Sequence, residues 1–290
     1  MTLPNAPIDW GPDDERGAAN HIDSAAVQRG IRTVREGRVL SLAVPIVSGD
    51  LGPGAGFRAP PQHFMTRHGG DYAAGLPEKP GYGFSDDVIM VPTHGVTHID
   101  ALAHVWQQGR MYNGFPATRV TSQGAARCGI DKLGPVITRG IFVDLARDDM
   151  TPDYAISTDE LQSAIAASGV TPQAGDALLV RTGWLERWRD GKAGKTIAPG
   201  LHHNCAEWIG DQKFSLVAAD NIAVEAIPSR DASCAMPLHI ALMRDRGIYL
   251  AELFDLNALA RSGRSEILLI ISPLMIQGGV GSPITPVAVL

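Results

Sequence analysis

The sequence predicts an α/β fold built on a mixed β-sheet with flanking helices. Three observations support this prediction: short apolar runs rich in strand-forming residues recur along the chain, helix signals separate several of them, and 44% of the 290 residues are hydrophobic. A chain of this length and composition can bury a large core without disulfide support. We expect a single domain over residues 1–290, without an internal repeat or a low-complexity tract.

The elements can be assigned in order along the second half of the chain. Ser157 and Glu160 form a capping-box pattern that opens a helix, which continues to about Ala167 and closes at Gly169. Another helix is expected from Asn204 onwards, and a proline at 237 suits the first turn of a third helix, which would carry the histidine at 239. Apolar runs predict strands at 140–145, 176–181, 216–220, 248–253 and 266–271.

Residues 49–83 are rich in glycine and proline and predict a long loop. Loops of this length are uncommon in compact domains unless they cover a site. This one would form a lid or a pocket wall, or else a solvated insertion. His63 and His68 lie within it and are weaker ligand candidates for that reason.

The segment from His94 to His104 places three histidines and one aspartate in an otherwise apolar run. Imidazole nitrogens and carboxylate oxygens are ligands that Zn²⁺, Mn²⁺ or Fe²⁺ accept, and the lack of a nearby cysteine argues against a structural zinc site rich in thiolates. Desolvating several ionisable groups needs compensation, which a shared metal ion would supply. The alternative is that these histidines are core or surface groups satisfied by backbone partners.

The flanking sequence places these candidate ligands on extended chain. His94 and His98 are four residues apart, as on one face of a helix, but the strand-forming run at 88–91 and Pro92 argue against a helix. We therefore expect the ligands at the end of a strand and in the turn after it. If the chain stays extended, His98 and Asp100 point to the same side, because side chains repeat their direction every second residue.

This segment resembles the motif of the cyclase family of metal-dependent hydrolases, which includes bacterial kynurenine formamidase, isatin hydrolase and a trans-dienelactone hydrolase. The matching positions are His94, Thr97, His98, Asp100 and His104. Val96 and Leu102 stand where the short form of the motif has glycine and proline. The similarity continues over nearly the whole chain, in residues 10–20, 112–114, 237–239, 247–253 and 279–283.

The resemblance implies the swivelling β/β/α arrangement of the family and a set of metal ligands. A first metal position would consist of His94, His98 and Asp100. In two-metal members, Asp100 would bridge to a second ion held also by His104, His239 and Glu252. In one-metal members, the residue equivalent to His104 is free for proton transfer. Glu252 could instead be a strand-end carboxylate in a surface ion pair.

The motif and the resemblance together imply a hydrolase that uses a metal-activated water to open or cleave a small amide, lactam or lactone carbonyl. Zinc and manganese are the ions that we expect, one or two per chain, and His104 would carry the proton. An arylformamidase like kynurenine formamidase is an alternative, although this chain is longer than the compact formamidases. A non-catalytic metal-binding member is a further alternative. The resemblance also implies a homodimer or homotetramer.

Charge and composition argue against nucleic acid and membrane partners, and the resemblance implies a small-molecule substrate. The net charge is −6 and no run of basic residues occurs, which argues against nucleic acid. No apolar segment is long enough to span a bilayer, and residues 1–9 lack the features of a secretory signal, so we expect a cytoplasmic protein without a membrane partner. The three cysteines, Cys128, Cys205 and Cys234, are scattered and odd in number, which fits a reducing compartment.

Overall fold

The computed structural model describes residues 10–50, 52, 57–194 and 196–290. Residues 1–9, examined above for a secretory signal, lie outside the described residues, as do positions 51 and 53–56 of the glycine-rich segment. The described residues form the following strands: β1 (Val39–Ser41), β2 (Gln62–Arg67), β3 (Asp86–Met90), β4 (His98–Asp100), β5 (Val120–Thr121), β6 (Gly124–Ala125), β7 (Val136–Asp144), β8 (Ala155–Ile156), β9 (Ala177–Arg181), β10 (Gly200–Leu201), β11 (Leu216–Ala219), β12 (Tyr249–Glu252), β13 (Glu266–Ile271), β14 (Gly281–Pro283) and β15 (Val287–Val289).

The helices are short and lie between the strands. The α-helices are α1 (Ser24–Ile31), α2 (Gly69–Ala73), α3 (Thr158–Ala167), α4 (Trp184–Arg189), α5 (Cys205–Asp211), α6 (Pro237–His239) and α7 (Asn257–Ser262). A π-helical turn, Ile240–Arg244, continues α6, and 3₁₀ turns occur at Gly17–His21, Tyr112–Gly114, Ala117–Arg119 and Ile130–Lys132. None of the described helices combines the length and the apolar character needed to cross a membrane.

A nine-stranded mixed sheet organises the fold, in the order β1-β15-β13-β7-β9-β11-β12-β4-β14. The central strands β7, β9, β11 and β12 are parallel, and the strands on both sides of them pair antiparallel. The parallel connections need crossovers, which carry α3 between β7 and β9 and both α4 and α5 between β9 and β11. The α/β class with a mixed sheet is thus confirmed.

Burial explains why the central strands were visible in the sequence. Every residue of β11 and β12 is buried, as in parallel strands covered on both faces, and such strands have continuous apolar sequences. In β13 burial alternates instead, with Ile267, Leu269 and Ile271 fully buried on one face. The side chains of these strands belong to one large core cluster.

The predicted helix starts are confirmed, and that of α3 shows the expected capping contacts. The Ser157 hydroxyl accepts a hydrogen bond from the Glu160 backbone N–H at 3.2 Å, and the Glu160 carboxylate accepts one from the Ser157 backbone N–H at 2.9 Å. Asn204 is the residue before α5, and Pro237 occupies the first turn of α6. The predicted strand at 140–145 is longer than expected, because β7 begins at residue 136.

The segment 49–83 is not one continuous loop. Its described part contains β2 and α2, and β2 pairs antiparallel with β3 in a separate hairpin. The sequence of β2, Gln-His-Phe-Met-Thr-Arg, lacks an apolar alternation because both of its faces are largely exposed. His63 lies 2.7 Å from the Asp87 carboxylate across the hairpin, and His68 caps α2 by accepting from the Gly70 N–H.

The strand that leads to the candidate ligands also differs from expectation. Residues 88–90 of this run belong to β3, which is part of the hairpin. His98 and Asp100 lie instead on β4 in the main sheet. Between the two strands the chain turns at Pro92, whose carbonyl accepts from the Gly95 N–H at 3.0 Å. Pro92 cannot donate a ladder hydrogen bond, so the extended run ends there and a new strand begins after the turn.

A buried ionic network joins α1, β7 and the start of β9. Asp176 is fully buried and accepts from Arg29 Nε at 2.9 Å and from Arg139 Nη2 at 2.6 Å. Arg139 also donates to Glu266 at 2.6 Å, which links β7 to β13. Removing one partner of such a network leaves a buried charge uncompensated, at a cost of about 3–5 kcal/mol.

Candidate metal centre

Strand β4 lies between β12 and β14, and this pairing assembles much of the candidate site. His98 is the register partner of Glu252 on β12, and Asp100 is the register partner of Gly281 on β14. Directly opposite residues of an antiparallel pair have Cβ atoms about 4.5–5.5 Å apart. Backbone pairing alone therefore brings an imidazole from one strand next to a carboxylate from its neighbour.

Gly281 makes room for the first histidine of the motif. A Cβ atom at this position would collide with the imidazole of His94, at its Nε2 atom. The same nitrogen lies 3.2 Å from the carbonyl oxygen of Val280 and 3.3 Å from Asp100 Oδ1. Because Gly281 has no Cβ atom, it leaves the space that the His94 imidazole occupies.

Asp100 is at the centre of the cluster. Its Oδ1 atom lies 3.3 Å from His98 Nε2, and its Oδ2 atom lies 3.9 Å from His239 Nε2. Glu252 completes the arrangement, with Oε2 at 3.4 Å from His98 Nε2 and Oε1 at 3.3 Å from His239 Nε2. Because His98 and Asp100 contact each other, their side chains point to the same side of β4, as the alternation predicts.

His104 reaches the cluster from the chain after β4. The extended backbone ends at Asp100, and a turn closed by a hydrogen bond from the His104 N–H to the Ala101 carbonyl folds the chain back. The His104 ring then stacks on His94, with ring centroids 4.0 Å apart and planes at 20°. The structure thus brings together all six residues named from the sequence.

The ligand atoms form two overlapping groups that share Asp100. One group is His94, Asp100 and His104, and the other is His98, Asp100 and Glu252; within each group the ligand atoms lie within 4.8 Å of one another. The resemblance implies a different division, with His94 and His98 at one position. The assignment of individual ligands to individual ions stays a prediction.

Two of the imidazoles are oriented by hydrogen bonds at Nδ1. His98 Nδ1 lies 2.7 Å from the carbonyl oxygen of Val96, so this nitrogen donates and Nε2 faces the two carboxylates. His239 Nδ1 lies 2.6 Å from Glu225 Oε1, which leaves its Nε2 facing Asp100 and Glu252. Ligating histidines in proteins commonly donate their second ring N–H to a carbonyl or carboxylate in this way.

Glu225 was not anticipated from the sequence. It is buried, and besides the imidazole its carboxylate accepts from the backbone N–H groups of Leu238 and His239, at 3.2 and 3.0 Å. The segment before it is fixed by Asn221, whose Oδ1 accepts from the Val224 N–H at 2.7 Å. Glu225 lies outside the regular elements, so periodicity gave no signal for it.

The buried carboxylate of Asp100 provides a test of whether this cluster fits a metal ion. Both of its oxygens are buried and neither has a hydrogen-bond partner among the described residues. An ionised carboxylate removed from water without partners is very costly. Imidazole nitrogens and carboxylates are the donor set of Zn²⁺ and Mn²⁺, so the residues present fit a divalent cation.

The protonation of the cluster follows from burial and from the neighbouring charges. Burial lowers the pKa of His94 to about 3 and also lowers the pKa of His104, which favours neutral imidazoles. For His239, burial lowers the pKa but is outweighed by Glu225 and Glu252, which raise it to about 10. For Asp100, the cost of burial is outweighed by the surrounding histidines, which lower its pKa. The carboxylates thus stabilise a positive charge within the cluster.

An apolar cavity lies beside the turn that carries the motif. It has a volume of about 290 Å³ and is lined by Val44, Val47, Pro61, Val96 and Trp188, among others. Thr97 connects the turn to both neighbouring segments, because its hydroxyl accepts from the Val44 N–H at 2.8 Å and donates to the Leu253 carbonyl at 2.7 Å. The cavity wall and the ligand strand are therefore held together.

Comparison with known proteins places this fold and motif in a family. A family model described as "Putative cyclase" matches residues 18–226. A crystal structure of a novel cyclase superposes with a TM-score of 0.89 at 37% identity and covers 98% of both chains. The isatin hydrolase of Roseibium aggregatum is 27% identical over 214 residues, which are 71% of this chain and 75% of the relative.

A crystal structure of an isatin hydrolase bound to the product analogue thioisatinate shares the fold. Its TM-score is 0.65 at 18% identity, and the match covers 93% of this chain and 99% of the other. The family model covers well over half of the sequence, and it includes the whole motif from His94 to His104. This chain therefore belongs to the cyclase family, and its relatives support a hydrolase of that family.

Proposed function

We propose that this protein is a metal-dependent hydrolase that opens or cleaves a small amide, lactam or lactone carbonyl. The observation that carries the proposal is Asp100, whose two buried oxygens lack hydrogen-bond partners among the described residues while histidines and Glu252 surround them. The similarity to an isatin hydrolase supports a cyclic amide as the substrate.

Six side chains would hold one or two divalent ions, with zinc or manganese favoured: His94, His98, Asp100, His104, His239 and Glu252. The sharing of Asp100 by two groups of ligand atoms supports a capacity for two ions. A bound divalent ion supplies a polarised carbonyl and an activated water at neutral pH.

His104 is the residue that we assign to proton transfer in the one-ion form, in which its imidazole is not a ligand. Burial lowers its pKa, so its imidazole is neutral at pH 7 and can accept a proton. The side chain is half-buried, whereas His98 and Asp100 are fully buried, so it is the more accessible group of the cluster. It can accept a proton from the attacking water and donate one to the leaving nitrogen or oxygen.

The apolar cavity beside the ligand turn is the substrate pocket in this proposal. Apart from Asp50 and Arg189, the lining is mainly aliphatic side chains and Trp188, which suits the apolar body of a small cyclic substrate. Gly95 and Val96 connect the cavity to the ligand turn. A polar reacting group would then face the cluster while the rest of the substrate occupies the cavity.

We also propose that the protein is a cytoplasmic homo-oligomer. The β2–β3 hairpin exposes Phe64, Met65, Val88, Ile89 and Met90, each with about half of its surface accessible. A two-stranded hairpin is marginally stable by itself, and contiguous exposed apolar surface is typical of protein interfaces. The free cysteines support a reducing location.

The experiment that tests the hydrolase proposal is the substitution His98→Ala, with His203→Ala as a matched control outside the cluster. Metal content is measured by mass spectrometry on protein purified without added ions, and turnover is measured on cyclic amides, lactones and formamides. We expect the first variant to lose both metal and activity and the control to keep both. A His98→Ala protein that retains metal and turnover would refute the proposal, and a strong preference for formamides would favour an arylformamidase.

A further inference from the structure

A second cavity, of about 470 Å³, lies far from the metal centre and is lined by five arginines. It is formed by α1 and the chain after it, by β7 and by the start of β13. In the main sheet, β7 and β13 are separated from β12 and β4 by β9 and β11. The arginines are Arg29, Arg32, Arg35, Arg139 and Arg264.

Two of the five arginines are neutralised by carboxylates. Arg29 and Arg139 both contact Asp176, and Arg139 also contacts Glu266, which is the acidic residue in the cavity wall. These contacts fix the two guanidinium groups, and they neutralise the charges of the two carboxylates. The basic character of the cavity must therefore come from the other three arginines.

The remaining three guanidinium groups form no ion pair with an acidic side chain of the described residues. Arg264 donates to the backbone carbonyl of Thr33 at 2.7 Å, which supplies no negative charge. The side chains of Arg32 and Arg35 are exposed and make neither an ion pair nor a hydrogen bond with the described residues. Arg29 already lies in the last turn of α1, where a cation complements the helix dipole. Arg32 and Arg35 come after that turn.

The concentration of positive charge contrasts with the whole chain, whose net charge is −6. Like charges gathered at one concave site repel each other and attract anions. A guanidinium group presents five N–H donors in a planar fork that matches carboxylate and phosphate oxygens. The volume of the cavity lies within the usual range for small-molecule sites, roughly 300–1,000 Å³.

We propose that this cavity binds a small organic anion through phosphate or carboxylate groups, independently of the metal centre. Arg32, Arg35 and Arg264 provide the free charge, and the Asp176 network holds the wall against which the anion lies. Ser265 lines the same cavity, and its hydroxyl can donate a hydrogen bond to the anion.

The test uses the double variant Arg32→Gln/Arg35→Gln, whose side chains are exposed, so that folding is retained. Arg38→Gln is the matched control, because Arg38 is also exposed but pairs with Glu36 and does not line the cavity. Calorimetric titrations of the intact protein use inorganic phosphate and succinate as probes, with chloride at equal ionic strength as the reference.

We expect saturable binding of at least one probe to the native protein and to the Arg38→Gln variant. The double variant should bind about 10-fold or more weakly, because it removes two of the three guanidinium groups that provide the free charge. Which probe binds distinguishes phosphate from carboxylate recognition. Equal affinity of the double variant, or no binding beyond the chloride reference, would overturn the proposal.

Discussion

At the residue scale, the orientation of the histidines is as informative as their identity. His98 and His239 each engage Nδ1 with an oxygen of the protein, which leaves both Nε2 atoms facing Asp100 and Glu252. The partner of His98 is a backbone carbonyl, whereas the partner of His239 is the Glu225 carboxylate. A substitution can therefore probe one of these two supports without touching the ligands.

The substitution Glu225→Gln should weaken metal binding about 10- to 100-fold, the usual effect of removing a hydrogen-bonding partner of a ligating histidine. Glutamine keeps the volume but has no negative charge, and it presents a single acceptor oxygen. Metal affinity is measured by competition with a chelator of known affinity. The substitution Glu207→Gln, on the exposed face of α5, is the control, and unchanged affinity in the Glu225 variant would contradict this positioning role.

Thiol reactivity gives a second prediction at this scale. Burial raises the pKa of Cys128 to about 12 and the pKa of Cys205 to about 11, although Cys205 lies at the start of α5, where a helix terminus favours the thiolate. Cys234 is only partly buried. In the native protein at pH 8, an alkylating reagent should modify Cys234 first, as followed by mass spectrometry. Equal rates at all three positions would show that the core opens readily.

The residues alone were sufficient to name the four candidate ligands between residues 94 and 104, because several ionisable residues within one apolar run would be costly to bury unless they shared a counter-charge. His239 and Glu252 were named only through the resemblance to the family. The sequence was not sufficient for Glu225, since an isolated carboxylate in an irregular segment looks like any surface residue. The register between β4 and β12, which places His98 opposite Glu252, joins residues that are more than 150 positions apart. Local sequence patterns contain no information about such a pairing.

At the scale of elements, the central strands were predicted well and the edges of the fold were not. Strands β9, β11 and β12 are continuous apolar runs because both of their faces are covered. Strand β14 has no apolar run, β1 and β15 are only three residues long, and β2 was included in a predicted loop. For these segments, pairing with a distant partner rather than local composition determines the extended conformation.

The exposed β2–β3 hairpin supports a prediction about assembly. Phe64 and Val88 are register partners, and Met90 lies on the same face as Val88, so these side chains form one apolar surface. The double substitution Val88→Lys/Met90→Lys should shift the protein to a smaller species, measured by light scattering during size-exclusion chromatography. Met275→Lys changes another exposed apolar residue and serves as the control. An unchanged mass in the hairpin variant would place the interface elsewhere.

At the scale of the whole molecule, metal binding and stability should be linked. The candidate ligands come from β4, the turns around it, α6 and β12, so an ion held by all of them would connect distant parts of the chain. An ion at about 1,000 times its dissociation constant stabilises the folded state by about 4 kcal/mol. Removing it should lower the unfolding midpoint by on the order of 10 °C.

This prediction is checked by calorimetry with and without a chelator. Addition of zinc or manganese should restore the midpoint, whereas magnesium, which prefers oxygen ligands, should not. The His98→Ala variant provides the control, because its midpoint should be insensitive to the chelator. An identical midpoint for the native protein before and after chelation would contradict the linkage.

The pairing of β4 with β14 has a consequence for biosynthesis. The strand that bears His98 and Asp100 obtains one of its two neighbours from residues 281–283, which follow every other strand of the main sheet except β15. A nascent polypeptide therefore exposes these ionisable groups until that distant segment has left the ribosome. One side of β4 is covered only then, so the cluster should reach its final geometry, and cation capture should be completed, late in maturation.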